Sequence, residues 1–246
     1  MTAEASVGFE EAETLLREGE FQDSRPLWYS SNYVFLAQLC AGEQTLTAVY
    51  KPRRGENPLW DFPDGTLFQR EVAAYRLSRI LEWPVVPPTV VRVEGPQGVG
   101  SLQLYIRHDP KSHFFEQREA PELVPQLKRM AVFDYLANNA DRKGGHCLLD
   151  EEGHIWGIDH GLCFHDVYKM RTVIWDWAEE RIPKAMLEDV AGLHDRLRAA
   201  DDAVLPLAEL LAPAEVSALI QRAAKLLATR TFPAPGPHRS YPWPLV

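Results

Sequence analysis

The chain carries three cysteines in 246 residues, Cys40, Cys147 and Cys163, with no CxxC spacing among them, so neither a disulfide framework nor a thiolate zinc site is written into it. No run approaches the ~18 consecutive apolar residues a membrane helix needs, which leaves no integral membrane segment. Positive charge is scarce. Lys and Arg number 26 against 35 Asp and Glu, and the formal net charge of −9 excludes the broad basic surface that nucleic acid or an anionic membrane selects. No secretory leader is expected, because the first twenty residues include Glu4, Glu10, Glu11, Glu13, Glu18 and Glu20, and a reduced, cytoplasmic protein is expected. No internal repeat and no HExxH motif is present.

What is present is an α+β pattern. Hydrophobic residues make up 46% of the chain, enough for a real core. From Leu27 to Val93 the texture is strand-like, with β-branched and aromatic runs at 33–39 and 45–50 bounded by polar or glycine turns. One helical pattern interrupts it between Leu67 and Leu81, where Phe68, Val72, Tyr75 and Ile80 recur near helical spacing. The prolines of WPVVPP at 83–88 end that helix, and a strand is expected at 101–106. After Arg107 helices take over: about 122–138, then 172–180, 184–199 and 203–228, with a proline-rich extended tail from Thr231, packed through Trp243. The expected architecture is two-lobed, a β-rich lobe over 1–107 and a mainly helical lobe over 108–246, and a ligand is expected in a cleft between such lobes.

The stretch 132–164, VFDYLANNADRKGGHCLLDEEGHIWGIDHGLCF, is the most informative. An amphipathic helix ends just before Asp141, and a hairpin pattern delivers Asp159 at the end of its second strand. Two carboxylates aimed at one point can divide the work of phosphoryl transfer, one accepting a proton from an incoming hydroxyl and the other holding magnesium on nucleotide phosphates.

DRKGGH at 141–146 and IDHGLCF at 158–164 resemble the catalytic and metal-binding loops of phosphatidylinositol 3-/4-kinase-like enzymes, including the type II phosphatidylinositol 4-kinases, and FDYLANNADR at 133–142 also resembles Fam20-type and HipA-type kinases. The resemblance implies a protein-kinase-like fold and an ATP-dependent kinase that uses Mg2+ or Mn2+ and passes the γ-phosphoryl group to the hydroxyl of a lipid, small-molecule or protein acceptor. It implies Asp141 as base, Asp159 as metal ligand, and His146, where kinases usually carry asparagine, as a second ligand. In the first lobe, Lys51 at the end of AVYKP is similar to the kinase lysine on the nucleotide phosphates, and Glu71, on the lone helix twenty residues later, to its partner glutamate. Leu104, Tyr105 and Ile106 would form the adenine-binding hinge, and Ser30, Ser31 and Asn32 the phosphate-covering loop. Arg142 has two open readings, a phosphate ligand or a structural ion-pair partner.

Rival readings rest on particular residues. His146 in place of asparagine, with no GxGxxG loop, suits a nucleotide-binding pseudokinase. Six of the eight histidines fall between 108 and 165, which raises a metallohydrolase using His146, His154, Asp159, His160 and His165. Transfer of the nucleotidyl instead of the phosphoryl group is a further variant. Cys147 and Cys163 flank the proposed site and are expected to pack as small apolar residues.

Overall fold

The computed structural model describes residues 8–27, 33–237 and 239–246. These cluster into two compact units, one within residues 1–72 and 87–105, the other within 73–86 and 106–246.

The first unit is a five-stranded antiparallel sheet with one helix against it. Strands β1 (Glu20–Leu27), β2 (Val34–Ala41), β3 (Gln44–Pro52), β4 (Thr89–Arg92) and β5 (Gly100–Leu104) lie in the order β1-β2-β3-β5-β4. Strand periodicity sorts the side chains: Ala37 and Leu39 of β2 and Leu46, Ala48 and Tyr50 of β3 are buried on one face, where Leu15 and Leu16 of helix α1 (Phe9–Glu18) complete the core. The glutamates of the sequence near 10–18 are thus the solvent face of a helix, which its few apolar positions did not announce. Because Tyr50 points to this core, the next residue, Lys51, points to the other face of the sheet.

Helix α2 (Leu67–Ile80) matches the helical pattern at 67–81. Its first turn is capped from a distance: the Glu56 carboxylate accepts from the Leu67 and Phe68 backbone N–H groups at 3.1 and 2.8 Å, satisfying donors that a helix leaves orphaned. From Ala73 onward α2 counts with the second unit.

The second unit packs around helix α4 (Val124–Ala137), which follows a short helix α3 (Phe114–Gln117). Every residue of α4 from Met130 to Ala137 is buried, so the helix is central and not one-sided as its sequence pattern suggests. Pro125 sits in its first turn, and Asn138 closes it in the left-handed conformation (φ 51°), as asparagine does at helix ends. The hairpin β6 (Cys147–Leu149) and β7 (Ile155–Gly157) follows, turned by Asp150, whose Oδ1 accepts from the Glu152 and His154 N–H groups.

Three expectations are corrected here. Residues 172–180 are turns and bends, not a helix: the backbone around Thr172 pairs in parallel with Arg142, and the Thr172 Oγ1 accepts from the Ile174 N–H. Helix α5 (Lys184–Ala199) falls as expected, but the stretch 203–228 breaks into α6 (Leu205–Ala208) and α7 (Pro213–Thr229), because Pro213 cannot continue a preceding helix and instead starts the next one. The tail is extended, yet Trp243 is 76% exposed; Phe232, Ser240 and Pro242 are buried in its place.

Candidate active site

In the first unit, β3 and α2 bring Lys51 and Glu71 together, with Nζ 2.5 Å from Oε1. Glu71 is buried and Lys51 half-buried, so the pair is shielded from bulk water and is worth more than a surface ion pair. Of the residues expected to form a hinge, the Leu104 N–H donates to the Pro88 carbonyl and the Tyr105 N–H to the Thr47 carbonyl, while the Ile106 carbonyl accepts from the His108 ring. Ser30, Ser31 and Asn32 lie outside the described residues.

In the second unit, Asp141, His146 and Asp159 converge. One ligand atom from each lies within 4.8 Å of the others, and they are the cluster of this kind found among the described residues. His146 Nε2 is 3.4 Å from Asp159 Oδ2, and Lys143 Nζ is 3.3 Å from Asp141 Oδ2. Asp159 adopts the left-handed backbone region (φ 61°), which aspartate tolerates better than most residues; such strain persists where the surroundings hold it and is concentrated at functional sites. Burial pushes the Asp141 carboxyl above the ordinary carboxylate range; Lys143 opposes that rise, Asp159 adds to it, and Arg171 opposes it. Asp141 is therefore a better proton acceptor than a solvated aspartate.

Beneath these groups lies a buried polar network. Arg142 and Asp134 are both 0% exposed and form a two-toothed ion pair, with Nε at 2.9 Å from Oδ2 and Nη2 at 2.9 Å from Oδ1. Arg142 Nη1 donates to the His146 carbonyl (3.2 Å) and the Ile158 carbonyl (2.9 Å), and Nη2 meets His160 Nε2 at 2.7 Å. A guanidinium has five N–H groups, and all five are used. Between the two readings of Arg142 the geometry favours the structural one: it has no donor left for a phosphate, and it ties helix α4 to the carbonyls of His146 itself and of the residue before Asp159. Asn139 adds a second tie, accepting from the Asp141 N–H at 3.0 Å and donating to Asp134 Oδ1 at 3.0 Å.

The other histidines of the metallohydrolase reading are engaged elsewhere. His160 is buried against Arg142, His154 Nε2 contacts the Pro84 carbonyl at 2.6 Å, and His165 pairs with Asp166. Cys147 and Cys163 are fully buried, and burial pushes the Cys147 thiol up to about 12. Sequence reasoning missed Lys143 and Asp134. Lys143 was signalled by its place two residues after Asp141; Asp134, eight residues before its partner on a helix, gave no sign.

Residues 70–195 match the family described as phosphatidylinositol 3- and 4-kinase. Protein Rv2133c of Mycobacterium tuberculosis (strain ATCC 25618 / H37Rv) is 41% identical, over 94% of each chain. Phosphatidylinositol 4-kinase gamma 4 of Oryza sativa subsp. japonica is 33% identical over 46% of this chain, which spans 23% of that protein's length. Among solved structures, the Golgi casein kinase with Mn/ADP bound superposes with a TM-score of 0.61 at 13% identity, over 90% of this chain and 75% of that one, a likeness of fold.

Proposed function

The chain belongs to the phosphatidylinositol 3- and 4-kinase family, and from that premise we propose that it is an ATP- and divalent-metal-dependent phosphotransferase that moves the γ-phosphoryl group to a hydroxyl acceptor. The observation that carries the reading is the convergence of Asp141, His146 and Asp159 on one point. Two carboxylate oxygens and an imidazole nitrogen at that separation fit a divalent cation, and Asp159 with His146 would hold it. When bound, the ion neutralises charge on the nucleotide phosphates. The imidazole favours Mn2+ over Mg2+, since magnesium prefers an all-oxygen shell; the Golgi casein kinase, a fold relative, holds Mn and ADP.

The protein's own groups take the remaining roles. Lys51, held by Glu71, contacts the α- and β-phosphates. Asp141 accepts the proton of the acceptor hydroxyl as its oxygen bonds to the γ-phosphorus; the bond from that phosphorus to the bridging oxygen breaks, ADP leaves, and the proton passes from Asp141 to solvent. Lys143 stands beside Asp141 and opposes the rise in its pKa that burial causes. Arg142 positions both loops without touching substrate. Ile106 and its neighbours form the adenine-binding hinge, and the two units serve as nucleotide-gripping and catalytic lobes.

The test is release or transfer of labelled γ-phosphate with Mn2+ and with Mg2+. Asp159→Ala abolishes it while circular dichroism shows an intact fold; equal turnover by both proteins refutes the assignment. A second reading rests on His146 standing where asparagine is usual: a module that binds nucleotide without transferring phosphate. Nucleotide-induced stabilisation with no phosphate release in any metal would select it.

A further inference from the structure

The catalytic loop is held from outside by a segment far away in sequence. The Gly144 N–H donates to the Leu245 carbonyl at 2.7 Å. A side chain at Gly144 would put its Cβ 3.1 Å from the Phe115 ring and 3.4 Å from the Leu245 oxygen, and one at Gly145 would meet Val246 at 3.7 Å. A side chain at 144 therefore requires the Phe115 ring to shift by a few tenths of an ångström and would rest against the Leu245 carbonyl. The same segment is anchored at its other end. The Ser240 carbonyl accepts from the Thr172 N–H and from the Trp175 indole N–H, both at 3.1 Å. Thr172 lies in the strand-like stretch that pairs with Arg142: the Arg142 N–H donates to the Arg171 carbonyl and the Val173 N–H to the Arg142 carbonyl. The strap thus grips the catalytic loop twice, through 171–173 at Arg142 and directly at Gly144. Between and beside these grips stand Asp141 and His146.

We propose that Ser240–Val246 is a positioning element of the active site, which fixes the Gly144–Gly145 turn and so the separation of the base Asp141 from the metal ligand His146. This rests on the functional reading above. The strap touches neither reacting atoms nor metal; it acts through the loop backbone, where a displacement of about 1 Å costs up to ~100-fold in rate.

The experiment uses the full chain carrying Gly144→Ala, a chain lacking Pro242–Val246, and Val93→Ala, an exposed position outside the strap and the site. Mn2+ affinity is read from the electron paramagnetic resonance signal of free Mn2+, and kcat and KM from γ-phosphoryl release, with melting temperature alongside. Gly144→Ala and the shortened chain are expected to lose ~10-fold in Mn2+ affinity and ~10- to 100-fold in kcat with KM for ATP little changed, while Val93→Ala matches wild type. Wild-type Mn2+ affinity and kcat in the shortened chain overturn the proposal, whatever its melting temperature. If the wild type binds Mn2+ but transfers no phosphate, the kinase reading fails alone, and the Mn2+ affinities of the two variants decide the strap: a loss sustains it and no loss overturns it.

Discussion

Replacing Arg142 by methionine removes a cation that sits at 0% exposure and leaves Asp134, equally buried, with the Asn139 amide as its remaining donor in the network. Breaking one side of a buried ion pair typically costs ~3–5 kcal/mol, because the surviving charge cannot reach water. The carbonyls of His146 and Ile158 and the ring of His160 lose donors as well. With ~2–4 °C per kcal/mol for a domain of this size, the expected fall in melting temperature is about 6–20 °C. Asp134→Leu combined with Arg142→Met removes both charges and fills the space with apolar atoms, so it is expected to recover roughly half or more of that loss. Turnover stays low in the double variant, since the two loop carbonyls remain unheld. Thermal unfolding and γ-phosphate release on the four proteins of the cycle decide the matter. Two single-variant losses that simply add, or a double variant with full activity, would refute the account of Arg142 as the tie between the loops.

Asp141→Asn is expected to lower kcat by ~10²- to 10⁴-fold with the melting temperature held or raised, since burial already disfavours the charge. Because the base works deprotonated and its pKa is raised, activity is full above that pKa and is lost as pH falls through it; the acid limb of kcat/KM lies above the range of a solvated aspartate. Lys143→Ala removes a lowering influence and moves that limb to higher pH, which a pH–rate profile reads directly. His146→Asn shifts metal preference from Mn2+ toward Mg2+ in competition titrations.

The separate pieces of this site were legible to different degrees, for physical reasons. Asp141 and Asp159 stood out because a helix end and a hairpin are local patterns, and the Lys51 and Glu71 spacing reflects a strand feeding a single helix. Residues 172–180 misled because Val173, Ile174 and Trp177 are apolar at a spacing one helix face would show, while the backbone there is claimed by Arg142 and by Ser240, partners that no local window contains. Helix α1 was hidden by its sparse apolar face, Ala12, Leu15 and Leu16 among glutamates. The role of Arg142 was open for the same reason that the strap was invisible: burial and satisfaction of an arginine depend on what folds over it.

The central claim is that Asp141, His146 and Asp159 bind a divalent ion together with a nucleotide, and a thermal-shift panel of ATP and ADP crossed with Mg2+, Mn2+ and Zn2+ tests it most directly. At a hundredfold excess over Kd, ligand binding contributes ~2.7 kcal/mol, so ATP with Mn2+ is expected to raise the melting temperature of the wild type by about 5–11 °C, and to leave Asp159→Ala unmoved. No shift with any pair, or the same shift in Asp159→Ala, would contradict it.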